Sequence, residues 1–476
     1  MKTIYEYLEE DLSKWPSRPY IFTKKDGVYH PRTFQEVISD VQNLSKALLA
    51  RGFQDANLMI YSENSYEWIV LYFAVMSYVG TCVPVDKEWT SHDLENTFRA
   101  LPVRAVFYSH ARSGQTRPLR DAHPEISWFC IEDAFPRLIR EGKALEMTLT
   151  GENDLQKTVL ILFTSGTTNF PKAIPLTQEN LFANWDTLYR RTPMTETDVS
   201  CVFLPLHHVY TGVANVLYTV ISGMQLYLCT DLSRMAQDLL EVRPTVVCLV
   251  PLLLYRLREA MTDELLHVLR EIRFLYCGGS FTDPAVKESL IRQGVPLLEA
   301  YGTTETSSVI ALAVPGDPDL LSNGVVFENL EVWVENPDEN GIGEIVVKGK
   351  SVSRGYLNRN DRYSDFDAQG AYHTGDLGRL DERRRLYLKG RKKRMILTAN
   401  GKNIYVDELE TLLLLEPRIH AAKVFEEEHH PAASVVTDLS ESDVKLLIDQ
   451  INRKLPHFKQ IRNVYVKPDT LGGRIK

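Results

Sequence analysis

The chain has 476 residues, of which 44% are hydrophobic and 25% charged, and its net charge is −9. One core stops growing at roughly 250–300 residues, so two or three cores are expected, and the apolar content excludes a disordered chain. The acidic balance excludes a broad nucleic-acid surface but is compatible with a local basic site for an anionic ligand.

The N-terminus carries Glu6, Glu9 and Glu10 where a signal peptide needs an apolar core. The longest apolar run, residues 246–254, is too short for a bilayer and contains Pro251. A cytoplasmic chain with no transmembrane segment and no nucleic-acid partner is expected. Cys82, Cys130, Cys201, Cys229, Cys248 and Cys277 show no CxxC or Cys/His ligand spacing, and several lie in apolar runs, so reduced, buried thiols are expected.

In chain order, Thr33 and Glu36 form a capping box ahead of Phe34, Val37, Ile38, Val41, Leu44 and Leu48, which recur at helical spacing as far as Arg51-Gly52. A strand at 57–61, a helix at 66–78 and a strand at 81–85 follow. This βαβ pattern favours a parallel sheet covered by helices. Residues 158–163 are a continuous apolar run of the kind a buried parallel strand shows. A strand at 245–250, a helix at 252–269 and a strand at 272–277 resume the alternation. From about Asn329 short strands (331–334, 343–348) and the turn Asn336-Pro337-Asp338 predict a β-rich part. A basic run at 389–394 marks a boundary, and helices at 408–415 and 443–455 predict a small α+β unit beyond it. The expected fold class is α/β. A large N-terminal domain covers 1–390, with its β-rich part at about 325–390, and a small α+β domain covers 391–476.

The most informative segment is Thr164-Ser165-Gly166-Thr167-Thr168-Asn169-Phe170-Pro171-Lys172, directly after the apolar run. Backbone N–H groups and hydroxyls of such a turn can cradle phosphate oxygens while the lysine offsets their charge. It is not the GxxxxGK[ST] loop, because no Gly-Lys pair follows Gly166.

TSGTTNFPK resembles the nucleotide-binding loop of the adenylate-forming superfamily: acyl-CoA synthetases, amino-acid adenylation domains and luciferases. Asn169 and Ala173 stand where the usual form has glycines. The other motifs of that family follow in order. Tyr301-Gly302-Thr303-Thr304-Glu305 is similar to the segment that stacks an aromatic ring on adenine, contacts the α-phosphate through Thr304 and holds Mg²⁺ through Glu305. Gly278-Gly279-Ser280 resembles the turn along the adenine edge, and Asp376 and Arg391 match the residues at the ribose. Lys393 aligns with the hinge, and Gly401, in the segment NGKN, with the loop that enters the site for thioester formation.

His207 and His208, in Leu204-Pro-Leu-His-His, resemble the substrate-binding segment of fatty acyl-CoA ligases. No acid occurs between Cys201 and Met224, so a zwitterionic substrate would lack a partner for its ammonium. At the chain end, Arg474 falls on the position of the family's catalytic lysine and Lys476 lies two residues beyond. Either could serve.

The resemblance implies several sheets and a barrel-like β-rich part in the N-terminal domain, with a mobile C-terminal domain. It also implies an AMP-forming acid–thiol ligase using ATP, Mg²⁺ and coenzyme A. A carboxylic acid, expected to be a fatty acid, is activated as acyl-adenylate with release of pyrophosphate and then passed to coenzyme A. Two alternatives stay open. One loads an acyl carrier protein or takes an aryl or dicarboxylic acid, and the other is a catalytically impaired nucleotide-binding relative.

Overall fold

The computed structural model of the chain describes residues 1–164, 171–317, 319–357, 365–397, 403–427, 430–453 and 455–467. Two large sheets dominate it. A six-stranded sheet runs in the order Ser127–Cys130, Val103–Tyr108, Ala56–Tyr61, Gly80–Pro84, Thr158–Thr164, Lys172–Thr177. A nine-stranded sheet has Val199–Val202, Val246–Leu249, Phe274–Gly278 and Leu297–Tyr301 among its parallel strands. Side chains alternate across each strand, so each sheet serves two cores. Leu58, Ile60, Val246 and Cys248 point into a shared core, whereas Met59 and Tyr61 enter a second and Val247 and Leu249 a third.

Helix Phe34–Leu49 begins at the expected capping box, with Thr33 and Glu36 bonded reciprocally, and buries Phe34, Val37, Ile38, Val41, Leu44 and Leu48. The strand expected at 158–163 spans Thr158–Thr164. It is parallel to Gly80–Pro84 on one side and antiparallel to Lys172–Thr177 on the other. The single helix expected at 252–269 is two, Pro251–Glu259 and Asp263–Glu271. Thr262 accepts from the Leu265 N–H and so caps a new helix, a start signal that apolar periodicity does not register.

Farther along, Glu331–Glu335, Gly343–Lys348, Tyr372–Leu380 and Leu386–Arg391 form an antiparallel four-stranded sheet. A separate apolar cluster joins Ile396, Leu409, Leu413, Val435, Val444 and Ile461. Five cysteines are buried as expected, and Cys130 is not. Among the described residues no helix is long and apolar enough to cross a membrane.

Candidate active site

The antiparallel register that sets Thr164 opposite Lys172 brings the two residues flanking the phosphate-type loop side by side. Ser165, Gly166, Thr167 and Thr168 lie outside the described residues. Lys172 forms an ion pair with Asp365. Its ammonium also donates to the Tyr356 hydroxyl at 3.3 Å and lies 4.4 Å from that ring's centroid.

The Tyr356 hydroxyl stands 2.8 Å from Asp365 Oδ2 and 3.2 Å from Glu305 Oε1. It has one proton for two carboxylates, and the two acids differ accordingly. Burial pushes the Glu305 carboxyl up, against the pull of its own backbone N–H and of Lys172. Burial acts on Asp365 in the same sense, but hydrogen bonds from Lys172 and Tyr356 outweigh it and hold that carboxyl below the usual aspartate range. Asp365 is already neutralised, and Glu305 is a buried oxygen donor whose charge wants a cation.

Glu305 and Thr304 lie on the short turn Thr304–Thr306, in which Thr303 and Thr306 bond each other's hydroxyl and backbone. The next residues, Ser307 and Ser308, hold φ at 54° and 99°, and such strain in non-glycine residues collects at functional sites. Gly302 makes this fold-back possible, since a Cβ there would stand 1.3 Å from the Ser308 carbonyl oxygen. Gly302→Ala is expected to cost about 3 kcal/mol, the upper end of ordinary overpacking, and to abolish ATP binding. Thermal denaturation with and without ATP reads both effects, and wild-type melting would show that the turn can open at little cost.

Two residues far apart in sequence meet beside this turn. The Tyr301 hydroxyl donates to Asp376 Oδ2 at 2.7 Å, and Asp376 Oδ1 lies 3.4 Å from Arg391 Nε. Burial raises the Asp376 carboxyl while the Arg391 charge draws it back. The adjacent glycine turn follows strand Phe274–Gly278. A Cβ on Gly278 would lie 2.6 Å from the Ala300 carbonyl oxygen, so strand Leu297–Tyr301 packs this closely only against glycine. Gly279 and Ser280 beyond it are exposed. Thr164, Gly278 and Tyr301 end strands that have parallel neighbours, where open α/β sheets bind ligands, whereas Lys172, Asp376 and Arg391 come to them from antiparallel strands.

The His207 and His208 rings are tilted at 45° to each other, with centroids 4.1 Å apart. His208 is exposed, whereas the His207 Nε2 is buried and has no hydrogen-bond partner among the described residues. Burial, helped by the neighbouring His208, lowers the His207 imidazole from its ordinary 6.5 to about 3. Above pH 6.5 His207 is neutral folded and unfolded, so it leaves stability unchanged there. As pH falls from 6.5 towards 3 only the unfolded chain takes up the proton, and stability is lost by no more than about 1.4 kcal/mol per pH unit. His207→Gln is expected to flatten that acid limb, as measured by urea unfolding at pH 5 and 7.

Lys393 is exposed on the turn Lys392–Arg394. Its neighbours are anchored: Lys392 pairs with Glu344 at 2.9 Å, and Arg394 pairs with Asp407 and Glu410 at 2.5 Å each. Gly401, Arg474 and Lys476 lie outside the described residues.

Motif reading missed three residues. Asp365 and Tyr356 reach Lys172 from nearly two hundred positions away in sequence and belong to no motif. Asn64 is the third. Its amide donates to the Leu204 carbonyl at 2.9 Å and accepts from the Leu206 N–H at 3.0 Å, which fixes the loop that presents His207.

The AMP-binding enzyme family model matches residues 8–357. The 2-succinylbenzoate–CoA ligase of Oceanobacillus iheyensis is 26% identical over 458 residues, covering 93% of this chain and 92% of that protein. That of Enterococcus faecalis is 26% identical over 489 residues, covering 98% and 96%. Among solved structures, the O-succinylbenzoate coenzyme A synthetase of Bacillus subtilis in complex with AMP superposes with a TM-score of 0.81 at 24% identity, covering 97% and 94%. An anthranilate CoA ligase in complex with anthranoyl-AMP superposes with a TM-score of 0.84 at 18% identity, covering 99% and 95%. These two structures share its α/β multi-sheet fold.

Proposed function

The chain belongs to the AMP-binding enzyme family, and on that premise we propose that it is an AMP-forming acid–CoA ligase for a ring-bearing or dicarboxylic acid. The observation that carries the substrate class is the buried His207 Nε2, which has no hydrogen-bond partner among the described residues. A buried ring nitrogen left unbonded costs about 1–3 kcal/mol, and an alkyl chain offers it no bond. An acid bearing a carbonyl, hydroxyl or second carboxylate does. The relatives reported above are named for 2-succinylbenzoate and anthranilate, and the fatty-acid expectation draws no support from them.

In this reading the acid's carboxylate attacks the α-phosphorus of ATP and pyrophosphate leaves. A thiol then attacks the acyl carbonyl and AMP leaves. Lys172 offsets phosphate charge once it parts from Asp365, Tyr301 and Gly278 line the adenine, and Asp376 accepts from the ribose hydroxyls. Mg²⁺ fits Glu305, a buried oxygen ligand whose carboxyl burial raises and the Lys172 charge only partly draws back. When bound, the ion offsets charge on the phosphates. Thr304 is placed to reach the α-phosphate. We place the division between the large and small domains at residues 390 and 391, with Lys393 as the pivot of the small one.

The test is turnover of ATP with an acid panel (aryl, dicarboxylic and long-chain fatty), using CoA or a holo acyl carrier protein as acceptor. A CoA thioester of an aryl or dicarboxylic acid is the expected product. Turnover of fatty acids alone overturns the substrate class, thioester on the carrier alone overturns the acceptor, and ATP binding without pyrophosphate exchange overturns the enzyme reading.

A further inference from the structure

We infer that His110, Cys130 and Glu132 form a surface binding site for a divalent cation of the zinc class, separate from the nucleotide site. Strand register creates it. Val103–Tyr108 and Ser127–Cys130 are parallel neighbours with Tyr108 opposite Cys130. The residues that follow the two strand ends, His110 on one side and Glu132 on the other, therefore converge on the Cys130 thiol. In sequence His110 is 20 residues from Cys130, which is why linear spacing shows no motif.

The distances suit a small tetrahedral ion. His110 Nδ1 lies 3.2 Å from Cys130 Sγ, and Cys130 Sγ lies 3.3 Å from Glu132 Oε2. All three ligand atoms fall within 4.8 Å of one another. Zinc bonds of about 2.3 Å to sulfur and about 2.0–2.1 Å to nitrogen or oxygen, at tetrahedral angles, place ligand atoms about 3.3–3.6 Å apart. The two pairs that involve the sulfur stand within a few tenths of an ångström of that spacing.

Supporting bonds orient the donors. His110 Nε2 lies 3.6 Å from Asp133 Oδ1, so metal binding at Nδ1 would place the ring's remaining N–H towards that carboxylate. Both Glu132 oxygens accept from the His110 backbone N–H, at 3.1 and 3.0 Å, which fixes the carboxylate across the strand ends. A sulfur, nitrogen and oxygen set selects a borderline-soft ion over Mg²⁺, which prefers oxygen alone. A pocket of about 290 Å³, lined by Glu132, Ser109 and Glu63, opens beside the cluster and gives solvent a route to it. As the sulfur–metal bond forms, the thiol proton passes to buffer.

The other five cysteines are buried, so Cys130 is the thiol that reports on solvent access. The experiment titrates the metal-free full chain with Co²⁺ and follows thiolate-to-cobalt absorption in the near ultraviolet. Alkylation of Cys130 is timed with and without Zn²⁺, and ATP turnover at saturating Mg²⁺ is measured alongside. A one-to-one cobalt band that Zn²⁺ displaces, and at least tenfold slower alkylation with Zn²⁺, are expected. Cys130→Ser and His110→Ala should abolish the band and leave turnover with Mg²⁺ unchanged. No band at millimolar Co²⁺ with unaltered alkylation overturns the proposal, as does a band that persists in Cys130→Ser.

Discussion

Lys172→Met is expected to lower acid-dependent exchange of pyrophosphate into ATP by at least about a hundredfold. Its ammonium lies beside the Glu305 and Asp365 carboxylates, and in the proposed reaction it faces the negative charge that redistributes as pyrophosphate leaves. One preorganised donor aimed at such charge is worth about 2.7–4 kcal/mol, or 10²–10³ in rate. Asp365 is the instructive partner. It pairs with the Lys172 ammonium that the proposed reaction turns to phosphate, so Asp365→Asn frees the lysine and is expected to lower the KM for ATP up to about tenfold with kcat within a few-fold. Were Asp365→Asn to depress exchange as far as Lys172→Met, Asp365 would belong to the chemistry and not to the resting state.

Asp376→Ala should raise the KM for ATP by at least about a hundredfold, because two hydrogen bonds from hydroxyls to a charged acceptor are lost at about 1.5–3 kcal/mol each. It also strips the buried Tyr301 hydroxyl of its 2.7 Å partner. Asp376→Asn separates the two effects, since an amide oxygen still accepts from Tyr301 but carries no charge for the ribose or for Arg391. A rise of about tenfold is expected there. Comparing ATP with 2′-deoxy-ATP checks the assignment: the wild type should discriminate between them, and Asp376→Ala should not. Equal discrimination by both proteins would place the ribose elsewhere. Because burial raises the Asp376 carboxyl, ATP binding should weaken on the acid side before ordinary carboxylates titrate.

Much of this was written locally. The capping box at Thr33, the apolar stripe from Phe34 to Leu48, the βαβ alternation and the antiparallel strands after Asn329 are patterns of contiguous residues, and the structure places elements where those patterns run. The family was legible for the same reason, since short motifs such as TSGTT and YGTTE each occupy one turn of chain. The division of residues 251–271 into two helices was not, because the apolar stripe continues through a break that only the Thr262 side chain enforces.

What the sequence by itself determined is the α/β class, the order of elements and the family with its nucleotide chemistry, since each rests on neighbours along the chain. Tertiary structure alone decided who meets whom. It brought Asp365 and Tyr356 to Lys172, Tyr301 to Asp376, and His110 with Glu132 to Cys130. It also left His207 with a buried ring nitrogen that no described residue satisfies. The physical reason is the same in each case. Burial and strand register set the charge and partners of these groups, and both are properties of packing between segments far apart in the chain.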